Sequence, residues 1–279
     1  MTTVIIPANN EEASIINCLN PFARNGSLPT GLQVIVVCNG CADNTATLVK
    51  SVHSNIDCIE TDIPSKTNAL NLGDSLADFY PRIYLDADVV LTLDAVNAMV
   101  DTLNTERVLA TSVEPKTDLS GSSWFVRAFY DIWLKLPYFK EGMIGSGVYA
   151  LSEQGRARFS KFPDLIADDG YIRCLFNEQE RTVTKGFYST VKAPKDLMSL
   201  IKIKTRSRLG RYELRDKFPE LLSNETKRYM NAFLPMIFNI KLWPKILVYL
   251  GVNIISRIRA NFQYKTKKII WERDDSSRS

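Results

Sequence analysis

Hydrophobic positions in the first half of the chain fall into strand-length runs spaced by helical stretches. Val4-Ile5-Ile6-Pro7 opens the series, and Leu32-Gln33-Val34-Ile35-Val36-Val37 is apolar enough for a central parallel strand buried on both faces. Between them Ile15, Ile16 and Leu19 recur at helical spacing. Asn9 or Asn10 is expected to cap that helix, with Glu11 and Glu12 at the positive end of its dipole. The turn Asn39-Gly40-Cys41-Ala42-Asp43 leads into a helix capped by Asp43 or Asn44 and carrying Leu48 and Val52. Cys58-Ile59-Glu60-Thr61 reads as a short strand, residues 66–73 as a helix that ends or kinks at its glycine, and Arg82-Ile83-Tyr84-Leu85 as the next strand. Further on, the pattern predicts a helix over 94–103, a strand over 108–113, an aromatic-rich helix over 124–136, a glycine turn into a strand over 145–151 and a helix start at 167–172. Such alternation predicts repeated βαβ units, hence an α/β fold whose mostly parallel sheet is covered by helices.

The chemistry concentrates at Asp86-Ala87-Asp88, which ends the run beginning at Arg82. Successive strand side chains alternate faces, so both carboxylates are expected on one side, where two acidic oxygens with free water positions suit a divalent cation and a diphosphate. A second acidic pair, Asp168-Asp169, follows about 80 residues later. Adjacent helical residues diverge by about 100°, so only one of the two is expected to face a reacting atom.

Taken in order, these segments resemble the family-2 glycosyltransferases with a GT-A fold, a Rossmann-like, mostly parallel sheet flanked by helices. Residues 4–12 resemble the family's first strand and nucleotide-contacting loop, and residues 36–45 its second strand and turn, with Cys38 standing where an Asp is common. Lys66 with Ala69, Leu70 and Asn71 resembles its G-K-x-x-A-x-N helix, Asp86-Ala87-Asp88 its metal motif, and Gly145-Ser146-Gly147 the loop under the acceptor. Asp168-Asp169 stands where the family has a Glu-Asp pair, and Arg208-Leu209-Gly210-Arg211-Tyr212 is a loose version of the Q-x-x-R-W of processive synthases.

The resemblance implies an inverting transferase that moves a sugar from a UDP- or GDP-sugar to a hydroxyl on a saccharide or lipid-linked acceptor. It implies Pro7, Ala8, Asn9, Glu11, Asn39, Lys66, Asp86, Ala87 and Arg211 at the donor, and Gly145, Ser146 and Gly147 at the acceptor. It further implies Asp88 and Asp86 on Mn²⁺ or Mg²⁺, Asp169 as general base and Asp168 beside it. The expected division is a catalytic domain over 1–215, a basic, apolar helical extension over 216–273 and a disordered tail over 274–279.

With 279 residues, of which 45% are hydrophobic and 24% charged, the chain can bury a sizeable core. Charge is uneven. Through Thr184 there are 14 Lys and Arg against 23 Asp and Glu, and from Lys185 onward 21 against 8. The basic third suits an anionic partner, a nucleotide diphosphate or an anionic membrane surface, with nucleic acid the rival. Lys202, Lys204, Arg206 and Arg208 alternate with less polar neighbours, so a strand there would present one cationic face. Residues 232–255 are strongly apolar, yet Pro235, Pro244, Lys241 and Lys245 argue against a membrane-spanning helix. Helices packed on the catalytic domain and an interfacial segment flanked by Arg257, Arg259, Lys265, Lys267 and Lys268 both fit. Residues 2–7 lack the basic and long apolar regions of a secretion signal, and five cysteines without a second C-x-x-C fit reduced thiols. A cytoplasmic enzyme, peripheral on the inner membrane face, is therefore expected. No glycine-rich phosphate loop follows the first strand, which argues against a sugar-nucleotide pyrophosphorylase and a dinucleotide oxidoreductase.

Overall fold

The computed structural model describes residues 1–23, 28–105, 108–136, 147–224 and 236–267. Among them, eight strands form one sheet: β1 (Thr2–Ala8), β2 (Leu32–Asn39), β3 (Asp57–Thr61), β4 (Arg82–Leu85), β5 (Val89–Leu91), β6 (Ala110–Asp118), β7 (Val148–Leu151) and β8 (Arg181–Lys192). The order is β3-β2-β1-β4-β7-β6-β8-β5. β3, β2, β1 and β4 run parallel, whereas β7 is antiparallel to β4 and β6, and β5 to β8. The α/β architecture expected from the sequence, a mostly parallel sheet flanked by helices, is thus present. The helices are α1 (Ile15–Leu19), α2 (Thr45–Val52), α3 (Lys66–Ser75), α4 (Leu93–Thr105), α5 (Trp124–Trp133), α6 (Glu153–Arg156), α7 (Asp168–Leu175), α8 (Leu197–Lys217) and α9 (Trp243–Lys265).

Two compact units interleave along the chain. The first comprises 1–116, 142–164 and 175–191, the second 117–141, 165–174 and 192–279. The sequence boundary at 215/216 falls inside α8, and the expected tail over 274–279 lies outside the described residues.

In the first unit, β1 and β2 are buried almost end to end because both faces are covered, which is why their sequences are continuous apolar runs. Val4, Ile6, Val34, Val36, Ile83 and Leu85 form one core with Ile15, Leu19 and Phe22. α3 runs through Gly73 to Ser75, so the glycine neither ends nor kinks it. A Cβ at Gly73 would lie 2.6 Å from Ile5 Cγ2 and 3.3 Å from Val37 Cγ2; its absence lets the helix rest directly on the sheet. α1 likewise departs from expectation. It is preceded by Ser14, and neither Glu11 nor Glu12 lies in its first turn, because residues 9–12 are committed to bonds with the loop after β2.

Behind the parallel strands, Asp74 of α3 is buried and bound by both arginines that approach it. Its Oδ1 is 2.7 Å from Arg82 Nη1 and accepts from Tyr84 Oη at 2.6 Å; its Oδ2 accepts from Arg156 Nε at 2.7 Å and pairs with Arg156 Nη2. Burial raises the Asp74 carboxyl, but hydrogen bonds from Arg156, Tyr84 and Arg82 outweigh it and hold the group below the usual carboxylate range. Asn71 closes the same region by exchanging two hydrogen bonds with the Phe162 backbone.

In the second unit, α5, α8 and α9 share an apolar core of Val126, Phe129, Tyr130, Leu200, Ile201 and Val252. The Phe129 and Tyr249 rings stack at 5.1 Å, so these members of the aromatic run belong to the core, while Trp124 and Phe125 are exposed. The expectation of a cationic strand over 202–208 is overturned, since this segment is the middle of the 21-residue helix α8. Leu200, Ile201, Thr205, Leu209 and Leu214 recur at helical period and are buried, and that stripe prevails over the period-two cations. The basic side chains therefore diverge. Lys204 lies 3.6 Å over the Trp133 ring, and Arg208 donates to Ser256 Oγ and Asn253 Oδ1 at 3.1 and 2.7 Å.

Candidate active site

β1 feeds α1 toward β2 on one side, while β4 lies on the other, so the chain order reverses between β1 and β4. In open parallel sheets the crevice beyond the carboxyl ends of strands at such a reversal is where ligands bind. Pro7 and Ala8 end β1 and are buried in the sheet, so they set where the loop after them begins. The loop after them is laced to the loop after β2. Asn9 Nδ2 donates to the Asn39 and Gly40 carbonyls, Asn10 Oδ1 accepts from Ala42 N at 2.7 Å, and Glu11 N donates to Thr45 Oγ1 at 2.7 Å. Glu12 N donates to Asp43 Oδ2 at 3.2 Å, and Glu12 Oε2 accepts from Asn44 N at 3.1 Å. Asn10 holds a left-handed φ of 51°, which Asn tolerates and which turns the chain into this contact. Asn39 is buried, its amide donating to Ala8 O at 2.9 Å. Asn39 is thus a brace between the ends of β1 and β2.

Asp86 follows β4 directly, and Ala87 and Asp88 form the turn into β5. A turn, rather than strand alternation, sets their directions: Ala87 is buried and both carboxylates are partly exposed. Asp86 N donates to Gly147 O at 2.7 Å, and Val89 N to Asp86 O at 3.0 Å, which pins the turn at both ends. Lys66, the first residue of α3, places Nζ 2.7 Å from Asp86 Oδ1, with the two side chains 33% and 35% exposed, so an incoming anion can reach the ammonium. Burial pushes the Cys18 thiol well above its ordinary range, and the charges of Asp88, Asp86 and Glu11 push it further. Three carboxylates thus give this end of the sheet a negative field suited to a cation.

The fit of a divalent ion follows from the donor set. Among the described residues no group of three or more His, Cys, Asp and Glu side chains is arranged to enclose a metal. Two partly exposed carboxylates with solvent and a ligand phosphate completing the shell is how Mg²⁺-type ions are held in nucleotide enzymes, and Asp86 and Asp88 match it.

Gly147 enters this site in a way the sequence reading missed. Its φ is +74°, and a Cβ there would lie 3.2 Å from Asp86 Oδ2 and 2.6 Å from Val89 Cγ2. It is the floor on which the Asp86 turn rests. The signal was a glycine immediately before a strand, read as an acceptor loop. Gly145 and Ser146 lie outside the described residues.

In the second unit, Asp168 and Asp169 open α7, where carboxylates suit the positive end of the helix dipole. Asp168 is 3% exposed and Asp169 is half-buried, its Oδ1 accepting from Gly170 N at 2.7 Å. The helix start is held by α8. Ile166 N donates to Glu213 Oε2 at 2.8 Å, and a Cβ on Gly210 would lie 2.8 Å from the Ala167 Cβ. Arg211, beside Gly210, is exposed. Glu213 was not singled out from the sequence, and Gly210 entered only as a member of the Arg208–Tyr212 segment, because neither its contact with Ala167 nor that of Glu213 with Ile166 has a local signal.

Residues 3–151, more than half of the chain, match the family model described as glycosyl transferase family 2. The chain belongs to that family. This family-2 glycosyltransferase is 35% identical over 72 residues to the poly-β-1,6-N-acetyl-D-glucosamine synthase of Staphylococcus aureus, a match covering 25% of this chain and only 18% of the synthase. Its fold is similar to the mannosyltransferase PcManGT of Pyrobaculum calidifontis, solved with GDP-mannose and Mn²⁺ (TM-score 0.58, 18% identity, 95% of this chain and 75% of that one). It is also similar to residues 1–349 of S. aureus TarS in complex with UDP-GlcNAc (TM-score 0.53, 14% identity, 95% and 89%). A third solved relative is the glucosyl-3-phosphoglycerate synthase of Mycobacterium tuberculosis with Mn²⁺ and UDP-glucose (TM-score 0.53, 16% identity, 77% and 79%). The chain thus combines membership of that family with a GT-A scaffold.

Proposed function

We propose that this glycosyltransferase moves a sugar, with inversion, from a UDP- or GDP-sugar to a hydroxyl of a saccharide or lipid-linked acceptor met at a membrane surface. The observation that carries the reading is the pairing of Lys66 with part-exposed Asp86, two residues before part-exposed Asp88, at the strand-order reversal. Asp88 and Asp86 would hold Mn²⁺ or Mg²⁺, and such an ion, when bound, offsets the charge that grows on the departing diphosphate. The chain's own residues supply the rest. The backbone at Pro7 and Ala8, with Asn9 and Glu11 beyond it, shapes the nucleoside end, Asn39 bracing it from below. Lys66 and Arg211 offer positive charge to the diphosphate. Asp169 accepts the proton as the acceptor oxygen bonds to the anomeric carbon and the bond from that carbon to the phosphate oxygen breaks. Base assistance of this kind is worth roughly 10²–10⁴-fold. Attack opposite the leaving group inverts the anomeric centre.

A donor panel of UDP- and GDP-sugars, followed by nucleotide release with and without Mn²⁺, tests this reading. Release that needs the metal and disappears in Asp88→Asn supports it; metal-independent release unaffected by Asp88→Asn overturns it.

A further inference from the structure

The long helix α9 packs one face on α5 and α8 and leaves the opposite face bare. Val252, Ser256 and Ala260 are buried. At about 100° per residue, Leu247, Ile254 and Ile258 all point within about 20° of the direction opposite Ser256. Leu247 is 70% exposed, Ile254 57% and Ile258 64%, and Phe262 continues the row at 66%. Large apolar side chains in a continuous row on a surface mark an interaction site.

Charge selects the partner. Residues 243–265 contain no Asp or Glu. Exposed Arg257 and Lys265 lie on the helix beside and within the bare row, and exposed Lys241 and Lys267 stand at its two ends. Lys245 is already paired with Asp131. Among the described residues no helix is long and apolar enough to cross a membrane, so this is a helix suited to lie along an interface.

We infer that the Leu247, Ile254, Ile258 and Phe262 face of α9 docks in the plane of an anionic phospholipid surface, its apolar side chains in the acyl boundary and its cations at the headgroups. The inference rests on the membrane part of the functional reading above and names the face responsible. It places the long axis of α9, about 35 Å at 1.5 Å per residue, parallel to the bilayer.

Vesicle flotation tests it. The full chain is expected to float with phosphatidylcholine vesicles containing phosphatidylglycerol, and much less with phosphatidylcholine alone. Ile254→Glu with Ile258→Glu is expected to lower the partition coefficient at least about tenfold. Both positions are solvent-exposed, so the thermal midpoint and metal-dependent nucleotide release are expected to stay at wild-type values. Arg257→Gln with Lys265→Gln is expected to weaken binding and its salt dependence without altering the melt. Absent flotation, or flotation unchanged by the double Glu variant, overturns the inference. So does light scattering that finds a dimer dissociated by the Glu substitutions, which assigns the face to a second copy. Loss of flotation with nucleotide release intact refutes the docking alone; loss of release in every variant and in wild type refutes the transferase site.

Discussion

Gly147→Ala isolates the contact that positions Asp86. Two costs are built into it. An L residue at φ +74° costs about 1–2 kcal/mol. The new methyl must also displace Val89 Cγ2, which would be 2.6 Å away on a buried, β-branched side chain whose χ1 is stiff. Overpacking of that kind adds about 1–3 kcal/mol, so urea unfolding is expected to show a loss of ~2–5 kcal/mol. Gly186→Ala provides the control. Its φ is +82° in the same unit, and nothing lies within 4 Å of its Cβ position, so only the backbone cost of about 1–2 kcal/mol applies. The difference between the two variants measures the contact. Because the same methyl would sit 3.2 Å from Asp86 Oδ2, titration with Mn²⁺ and UDP is expected to weaken about tenfold, a shift of ~1.4 kcal/mol, in Gly147→Ala and to stay unchanged in Gly186→Ala. Adding Val89→Ala to Gly147→Ala relieves the clash, and the pair is expected to destabilise by less than the sum of the singles. Equal losses for Gly147→Ala and Gly186→Ala, with equal donor binding, would refute the argument that Gly147 supports the carboxylate.

Three other outcomes follow from the same structure. Asp169→Asn is expected to abolish transfer while leaving donor affinity, measured by calorimetry, near wild type; unchanged turnover removes Asp169 from the mechanism. Asp74→Asn leaves Arg82 and Arg156 without their buried counter-charge and is expected to cost about 3–5 kcal/mol in urea unfolding. Since the folded Asp74 carboxyl lies below its unfolded value, the unfolded chain binds the extra proton first, and the stability it supplies is complete above about pH 4 and lost as pH falls through the folded value. The Asn variant should lack that part of the acid limb. Burial, and then Arg208, bring the Lys204 ammonium down to about 7, so between pH 7 and about 10.5 the unfolded chain holds the proton that the folded one has released. Wild-type stability should therefore rise with pH across that window by up to ~1.4 kcal/mol per unit, and Lys204→Met should flatten the slope.

Much of this was legible in the residues. The runs at 4–7 and 32–37 announce buried parallel strands, because strands covered on both faces carry little polarity, and the helix over 93–105 follows from its apolar period. Asp86 and Asp88 were legible as two carboxylates closing the apolar run of β4, although strand alternation was expected to direct them and a turn does so instead. The sequence misled where two periods coexist: cations two apart at 202–208 suggested a strand, while the buried stripe of Leu200, Ile201, Thr205 and Leu209 makes a helix. It misled again at residues 9–12, where polar residues that resemble helix caps are instead held by the neighbouring loop, a partner about 30 residues away.

What the sequence alone determined is therefore local and periodic: which segments bury one face or two, and which residues carry charge. Only the tertiary structure decided that Lys66 meets Asp86, that Gly147 lies under that carboxylate, that Asp74 holds two arginines together, and that α9 turns an apolar face to solvent. The reason is physical. Propensity and hydrophobic period act over a few residues, whereas these contacts join positions 8 to 82 residues apart, and their worth depends on burial and orientation that exist only once the chain has packed.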